Sequence, residues 1–278
     1  MGTIRSKDGT TIAFDRTGTG PPLVVIGGAM SDRRAAADLA SHLDRDLTIV
    51  AYDRRGRGDS TDTGPYAVER EIEDLDALIG EVGGSAFVIG HSSGAVLALR
   101  AVESGLAVER LALYEPPFMV DDTRELPPID YVERIEAMVA AGRPGDAVEY
   151  FLRVAVQVPA EVVAGMRSAP MWPGLERVAH TLVYDGTIMG DTVRGNPEPL
   201  ARWASVTIPT LVLDGGASPP WLRTGARTLA GILPNAKYRT LEGQDHGPAS
   251  AVLAPVLAAF FTGREQVESS AAGAGTRS

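Results

Sequence analysis

Short apolar runs alternate with helix-period segments along the first part of the chain. Runs rich in Val, Ile and Leu, typical of strands buried on both faces of a parallel sheet, occur at Leu23–Ile26, Leu47–Tyr52, Ala86–Ile89 and Leu111–Tyr114. The segments between them carry apolar residues at helical spacing and lie at Ala35–Leu43, Val68–Ile79 and Ala95–Glu103. An Asp8-Gly9 turn before the first of these runs predicts a hairpin at the start of the chain. The pattern therefore predicts an α/β fold.

The alternation is interrupted in the second half of the chain. It stops at Glu115-Pro116-Pro117 and resumes with the strand-like runs Leu211–Leu213 and Tyr238–Leu241. Helix-period stretches at Ile129–Ala140 and Asp146–Val156, broken by proline and glycine, fill the gap and indicate a helical insertion between two strands. We predict three parts, which are a core of residues 1–116 and 206–263, a helical cap of residues 117–205, and a mobile tail of residues 264–278.

Charge and composition exclude several classes of protein. The chain has 278 residues with 44% hydrophobic content, enough for a buried core, and 26 Lys and Arg against 36 Asp and Glu give a net charge of −10. A field of that sign repels phosphate backbones and anionic membranes, so neither nucleic acid nor membrane is an expected partner. Neither Lys7 nor Lys237 follows a glycine, which excludes a phosphate-binding Gly-Lys-Ser/Thr loop.

Cofactors and export are not expected either. The chain has no cysteine, which excludes thiolate metal sites, and its four histidines include no His-Glu-x-x-His pair. We therefore expect no catalytic metal and no other cofactor. The first 15 residues hold no apolar run of signal-peptide length, and nowhere do about 18 uncharged apolar residues follow one another, so we predict a cytoplasmic protein. The sequence leaves its oligomeric state open.

A candidate nucleophile lies in the motif Gly90-His91-Ser92-Ser93-Gly94. The motif Gly-x-Ser-x-Gly alone is weak, but here it directly follows a predicted strand and directly precedes a predicted helix. A turn of that kind holds its central serine in a strained conformation with the hydroxyl above the sheet edge. We therefore predict that Ser92 is a nucleophile.

A serine hydroxyl is a poor nucleophile at neutral pH and needs a general base. Among the four histidines, only His246 lies in a loop after the last strand-like run. A glycine-rich loop there can hold an imidazole over the carboxyl edge of the sheet, where Ser92 is also expected. His91, directly beside Ser92, is better interpreted as a wall residue because consecutive residues in such a turn point in different directions.

Four segments together make the chain resemble the α/β-hydrolase family across nearly all of residues 3–262. They are Val24–Ala29, Tyr52–Ser60, the turn at Ser92 and the loop of His246. The resemblance implies an eight-stranded, mostly parallel sheet with helices on both faces and a helical cap inserted after strand six. It also implies an oxyanion hole of two backbone N–H groups, which map to Ala29 and Ser93.

The third member of a catalytic triad is where this sequence departs from the family. The position shortly beyond strand seven, where the family most often has an aspartate, holds Ser218. Glu115 at the end of strand six and Asp214 at the end of strand seven are the two carboxylates that could orient His246, and a neutral partner or none is the third possibility. We favour Glu115.

The insertion is expected to supply the substrate pocket, because aromatic and thioether side chains concentrate there. They are Tyr131, Met138, Tyr150, Phe151, Met166, Met171, Trp172, Met189 and Trp203. About half of them are expected to form the core of the cap itself. We predict substrate contacts for Phe118 and Met119 at the hinge and for Met171 and Trp172 at a break in the insertion.

These residues predict a cofactor-independent serine hydrolase that cleaves an ester, lactone or thioester of a mainly apolar small molecule through an acyl-enzyme. Dehalogenation and epoxide hydrolysis in this family use an aspartate nucleophile, so Ser92 argues against both. Two alternatives stay open at this point. One is a non-hydrolytic enzyme of the same fold, such as a carbon–carbon lyase or a cyclase of a biosynthetic intermediate, and the other is a ligand-binding receptor.

Overall fold

The structure is a computed structural model of the chain, and it describes residues 1–264. Eight strands form one sheet: β1 Gly2–Arg5, β2 Thr11–Gly18, β3 Pro22–Ile26, β4 Thr48–Tyr52, β5 Ala86–His91, β6 Val108–Tyr114, β7 Thr210–Gly215 and β8 Ala236–Leu241. The α-helices are α1 Ala37–Leu43, α2 Val68–Glu81, α3 Ser93–Glu103, α4 Tyr131–Ala140, α5 Pro144–Tyr150, α6 Ala160–Arg167, α7 Trp172–Arg177, α8 Leu182–Met189, α9 Pro220–Ile232 and α10 Ser250–Thr262. Short 3₁₀ or π turns lie at Arg33–Ala36, Phe151–Ala155, Ala179–Thr181, Gly190–Val193 and Glu198–Ser205.

The strands lie in the order β1-β2-β4-β3-β5-β6-β7-β8. The pairs β1–β2 and β2–β4 are antiparallel and all the others are parallel. The predicted hairpin and the predicted mostly parallel sheet of eight strands are thus confirmed. Because β3 to β8 run in one direction, the loops that follow them meet at one edge of the sheet, which is where ligands bind in folds of this kind.

Side chains of alternate strand residues pack into two separate cores, one on each face of the sheet. Along β5, Val88 lies in one core while Phe87 and Ile89 lie in the other. The first core includes residues of α2, α3 and α9, and the second includes residues of α1 and α10. Burial on both faces is the reason that these strands are nearly continuous apolar runs in the sequence.

Five α-helices, α4 to α8, fill the chain between β6 and β7, in the segment that we call the inserted segment, residues 115–209. They have a core of their own, in which Ile135, Val148 and Leu182 are buried. The sequence predicts this helical insertion. Its pattern, however, shows only two helix-period stretches, whereas the structure has five α-helices there. The division of the chain into three parts stays a prediction, and residues 265–278 of the predicted tail lie outside the described residues.

We expect glycine to be required at two positions of the turn between β5 and α3. A Cβ on Gly94 would lie 2.4 Å from the carbonyl oxygen of Ile26, and one on Gly90 would lie 2.5 Å from the Cα of Ala95. Gly90→Ala and Gly94→Ala should therefore each lower the free energy of unfolding by about 2 kcal/mol or more. Thermal unfolding followed by circular dichroism measures this.

Gly80→Ala is the matched control, because Gly80 lies in a helix with nothing within 4 Å of an added Cβ. It should raise the free energy of unfolding by about 0.5–1 kcal/mol, since alanine favours the helix. Equal melting temperatures for the three variants would contradict the close packing around the turn.

Candidate active site

Ser92 lies in the tight turn that joins β5 to α3. Its backbone has φ 56° and ψ −125°, a conformation that non-glycine residues rarely adopt. The turn is possible because Gly90 and Gly94 let β5, α3 and the end of β3 approach one another closely. The structure therefore places Ser92 in the strained turn that the sequence predicts.

Backbone strain is concentrated around this turn. Among the described residues, four that are not glycine have a positive φ, and three of them follow a strand at the same edge of the sheet. These are Met30 with φ 61°, Ser92 with φ 56° and Glu115 with φ 45°. Such residues cost of order 1–3 kcal/mol each and cluster at functional sites. Their positions mark this edge as the candidate active site.

Glu115 and His246 are in direct contact. The Nδ1 atom of His246 lies 2.7 Å from Oε2 of Glu115, and the backbone N–H of Gly215 donates to Oε1 of the same carboxylate at 2.7 Å. Burial raises the pKa of Glu115, but the hydrogen bond from His246, the nearby Ser218 hydroxyl and the Gly215 N–H outweigh it and hold the pKa below its usual value. An ionised Glu115 requires the proton on Nδ1, which leaves Nε2 of His246 as a proton acceptor.

Asp214 has other partners. Its buried carboxylate accepts hydrogen bonds from the Tyr238 hydroxyl and, at 3.4 Å, from Nε of Arg223. Of the two carboxylates that the sequence leaves open, the structure brings Glu115 and not Asp214 to His246.

Two side chains hold the backbone of the His246 loop. His91 Nε2 donates to the carbonyl oxygen of His246 at 2.7 Å, and the Tyr114 hydroxyl donates to the carbonyl oxygen of Asp245. Burial and the neighbouring His246 lower the pKa of His91 to about 4. His91 is therefore neutral at pH 7 with its proton on Nε2, and it lies beside the His246 ring with the two ring centroids 4.7 Å apart.

Two backbone N–H groups, those of Ser93 and Ala29, belong to residues close to Ser92. Ser93 is the first residue of α3, so its N–H has no acceptor within the helix, and the positive end of the helix dipole points the same way. The N–H of Ala29 lies in the loop after β3. Within residues 1–264, neither N–H donates to another protein group, so both are available to a ligand.

Ser92 and His246 line a cavity of about 660 Å³, and Ala29 and Ser93 line it with them. The rest of the wall is mainly apolar and includes Met119, Tyr131, Val132, Phe151, Leu182, Met189, Val193, Trp221 and Leu222. Most of this wall comes from the inserted segment. The volume is that of a site for a small molecule.

Of the four residues predicted to contact substrate, only Met119 lines this cavity. The structure places the other three outside the lining of this cavity. Phe118 is fully buried and stacks on Trp203, with the ring centroids 5.1 Å apart. Trp172 lies in the core of the inserted segment and donates to Glu176 at 2.9 Å, and Met171 is 53% exposed on the surface.

The sequence does indicate part of the wall, because Tyr131, Phe151 and Met189 belong to the aromatic and thioether set noted above. It gives no sign of Trp221, which comes from α9 of the sheet domain. An aromatic residue in a small helical insertion is equally suited to its core and to a pocket, and only the packing distinguishes the two.

Within the part of the chain that the structure describes, no three His, Asp or Glu side chains are close enough together to hold a metal ion. Over the same residues, no helix combines the length and the apolar character needed to cross a membrane.

Comparison with known proteins is consistent with this geometry. Residues 23–259 match the model of the alpha/beta hydrolase family. The chain belongs to the alpha/beta hydrolase family. Its predicted fold and the resemblance on which the prediction rests are thus confirmed.

Two relatives are hydrolases by name. An alpha/beta hydrolase from Sphaerobacter thermophilus DSM 20745 is 57% identical, with a TM-score of 0.87 over 94% of this chain and 100% of that one. The uncharacterized hydrolase YraK of Bacillus subtilis (strain 168) is 34% identical over 95 residues, which are 33% of this chain and 35% of that protein. This match spans about a third of YraK.

The esterase RhEst1 from Rhodococcus sp. ECU1013 shares the fold. It is 20% identical, with a TM-score of 0.64 over 94% of this chain and 98% of its own. At that identity the likeness concerns the fold alone.

The neutral, half-buried His91 should make stability depend on pH. In the folded protein the pKa of His91 is about 4, whereas in the unfolded chain it is near 6.5. Between these values the unfolded state binds more protons, so the free energy of unfolding falls as the pH is lowered from 6.5 to 4, by about 2 kcal/mol from this group. His91→Gln, which can keep the donor, should lose that part of the dependence. Melting temperatures between pH 7 and 4.5 measure it.

His42→Gln changes an exposed histidine and serves as the control. It should keep the pH dependence of the original protein. An unchanged dependence in His91→Gln would contradict the burial of a neutral His91.

Proposed function

We propose that this protein is a serine hydrolase that cleaves an ester, lactone or thioester of a mainly apolar small molecule through an acyl-enzyme. The observation that carries the proposal is the 2.7 Å contact between His246 and the buried Glu115, with His246 and the strained Ser92 lining one cavity. These are the parts of a nucleophile, a general base and a group that orients the base.

In the first half of the proposed reaction, the Ser92 oxygen attacks the carbonyl carbon of the substrate. Nε2 of His246 accepts the serine proton, and Glu115 stabilises the imidazolium that forms. The carbonyl oxygen becomes an oxyanion, which accepts hydrogen bonds from the N–H groups of Ala29 and Ser93. The tetrahedral intermediate then collapses, the bond to the alcohol or thiol breaks, and the leaving group takes the proton from His246.

In the second half, water replaces the leaving group. His246 removes a proton from a water molecule, whose oxygen attacks the carbonyl carbon of the acyl-enzyme. A second oxyanion forms at the same two N–H groups. Its collapse breaks the bond to Ser92, which takes the proton back from His246, and the carboxylic acid leaves.

The wall of the cavity supports a neutral acyl group. Among its charged side chains, Arg33 binds Asp53 and Asp185 binds two arginines, whereas Arg194, within residues 1–264, donates only to main-chain carbonyl oxygens, at 2.8 Å to that of Pro127. A charged acyl group placed against the apolar side chains, away from Arg194, would lose its hydration without gaining a counter-charge. The apolar wall offers it nothing in return.

A non-hydrolytic reaction would be favoured if His246 lacked a carboxylate, because the imidazole would then be a weaker base. With Glu115 at hydrogen-bond distance that condition is not met, and hydrolysis is the better supported proposal. No feature of the cavity favours a receptor over an enzyme.

Labelling with a fluorophosphonate probe, which reacts with activated serines, tests the proposed roles. Ser92→Ala should lose labelling entirely. His246→Ala and Glu115→Gln should each slow labelling and the turnover of short-chain p-nitrophenyl esters by about 10²–10⁴-fold. Asp214→Asn is the matched control and should stay within about 3-fold of the original rate, because its carboxylate does not contact the base. Intact-mass spectrometry measures the labelled fraction.

If the unsubstituted protein stays unlabelled, the result contradicts the serine mechanism. Labelling that is lost in Asp214→Asn and kept in Glu115→Gln would assign the role of the acid to Asp214 instead of Glu115.

The proposed substrate class predicts a preference between two esters of similar size. The kcat/KM for p-nitrophenyl butyrate should exceed that for the anionic p-nitrophenyl hydrogen succinate by about 10-fold or more. The reason is that burying the free carboxylate of the succinate costs at least about 1.4 kcal/mol. Initial rates at pH 8 and low ionic strength measure both. A preference for the anionic ester would contradict an uncharged acyl site.

A further inference from the structure

A buried ionic cluster lies directly beneath the two N–H groups assigned to the oxyanion. We define the ionic cluster as Arg54, Arg57, Glu71 and Asp185, each at most 5% exposed. Arg54 binds Glu71 at 2.7 Å and Asp185 at 2.8 Å, and Arg57 binds Asp185 at 2.7 Å. Burial raises the pKa of Asp185, but Arg57 and Arg54 outweigh it and keep the group ionised. Two cations thus neutralise two anions.

The first contact of the ionic cluster with the site runs through Arg57. Its Nη1 donates to the carbonyl oxygen of Gly28 at 2.7 Å. In the planar peptide between Gly28 and Ala29, this carbonyl and the N–H of Ala29 point in opposite directions. An arginine that holds the carbonyl on one side therefore fixes the N–H on the other. Gly28 itself lies beside Ser92, since a Cβ on Gly28 would lie 3.0 Å from the Cβ of Ser92.

The second contact runs through Ser93. Its hydroxyl donates to Oδ1 of Asp185 at 2.7 Å, which anchors the first residue of α3. The N–H of this residue is the other oxyanion donor. Asp185 thus reaches both donors, one through Arg57 and one through the Ser93 side chain.

We propose that Asp185 and Arg57 are positioning residues that orient the Ala29 and Ser93 N–H groups for the oxyanion. This inference rests on the proposed serine hydrolase function. Asp185 lies on α8 of the inserted segment, so that segment contributes to the transition state as well as to the pocket. A buried ionic cluster is an inefficient source of stability, because desolvation offsets most of its attraction. Its contacts, however, reach the peptide that carries the Ala29 N–H and the side chain of Ser93, which are the residues of the two donors.

The inference makes the oxyanion hole depend on where α8 lies. If α8 moves away from the sheet, Asp185 leaves Arg57 and Ser93. The Ser93 hydroxyl then loses its acceptor, and the Gly28 carbonyl, which also accepts from the Ser31 hydroxyl at 2.7 Å, is held less firmly. A bound substrate that packs against the α8 residues Leu182 and Met189 keeps α8 in place. Acylation should therefore be faster for substrates that fill this part of the cavity.

Asp185→Asn tests the proposal, with Asp74→Asn as the matched control. Asp74 forms an equally buried pair with Arg55, at 2.8 and 2.7 Å, but contacts neither Gly28 nor Ser93. Both variants remove one buried carboxylate charge beside an arginine and should lower the melting temperature. Ser93→Ala leaves the ionic cluster and the backbone N–H in place and serves if Asp185→Asn fails to fold.

The first measurement compares turnover with binding of a trifluoromethyl ketone, which adds the Ser92 oxygen to its carbonyl carbon and bears the charge on its oxygen. Asp185→Asn should lower kcat by about 10–100-fold with KM within about 3-fold, and should raise the inhibition constant of the ketone in proportion to the loss in kcat/KM. Ser93→Ala should show the same proportionality with a loss of about 3–10-fold. Asp74→Asn should leave kcat and the inhibition constant within about 2-fold.

The second measurement does not depend on hydrolysis. In the ¹⁵N-labelled protein, the amide resonance of Ala29 should shift in Asp185→Asn and should stay unchanged in Asp74→Asn. Unchanged ketone binding together with an unchanged Ala29 amide would overturn the positioning role. If the original protein neither turns over esters nor binds the ketone, the proposed function fails, and the Ala29 amide alone then decides the positioning role.

Discussion

The close approach of β3, β5 and α3 at the turn around Ser92 is the constraint on which the site depends. A Cβ on Gly94 would lie 2.4 Å from the Ile26 carbonyl oxygen, so glycine is the residue that lets α3 begin directly above the sheet. That contact places the first N–H of α3 and the loop after β3 on either side of Ser92. This arrangement holds the backbone of Ser92 in a strained conformation. The packed cores on both faces of the sheet offset the free energy of that strain.

The remaining parts of the site are brought to this turn by the parallel sheet. The carboxyl ends of β6 and β7 lie beside that of β5, so either Glu115 or Asp214 could have faced His246. The positive φ of Glu115 and the Gly215 N–H direct the Glu115 carboxylate toward the histidine. Asp214 instead accepts hydrogen bonds from Tyr238 and Arg223. An acid on β6 thus contacts the base from a strand adjacent to that of the nucleophile.

These particular residues also show how far sequence reasoning reaches. Ser92 and His246 are predictable because each follows a strand-like run, and parallel strands end at one edge. The choice between Glu115 and Asp214 requires backbone angles, which the pattern of apolar residues does not contain. The contacts of Asp185 with Arg57 and Ser93 join positions 128 and 92 residues apart, and no local pattern predicts them. Phe118 and Trp172 lie in cores and not in the cavity lining, and their residue types suit either place.

The buried charges near the site differ in what they contribute. The pair of Arg55 and Asp74 contacts neither oxyanion donor, whereas the ionic cluster of Arg54, Arg57, Glu71 and Asp185 contacts the peptide and the side chain that carry them. Both arrangements place full charges where desolvation is costly. In the proposed reaction, the ionic cluster orients the N–H dipoles of Ala29 and Ser93. These dipoles must be in place before the oxyanion forms.

The contact between His246 and Glu115 is the central claim, and a proton resonance tests it most directly. A proton shared between a histidine Nδ1 and a buried carboxylate gives a strongly downfield signal in the NMR spectrum of protein labelled with ¹⁵N-histidine. We predict that the protein shows this signal for His246, that Asp214→Asn retains it, and that Glu115→Gln loses it. A signal that survives in Glu115→Gln and vanishes in Asp214→Asn would contradict the account.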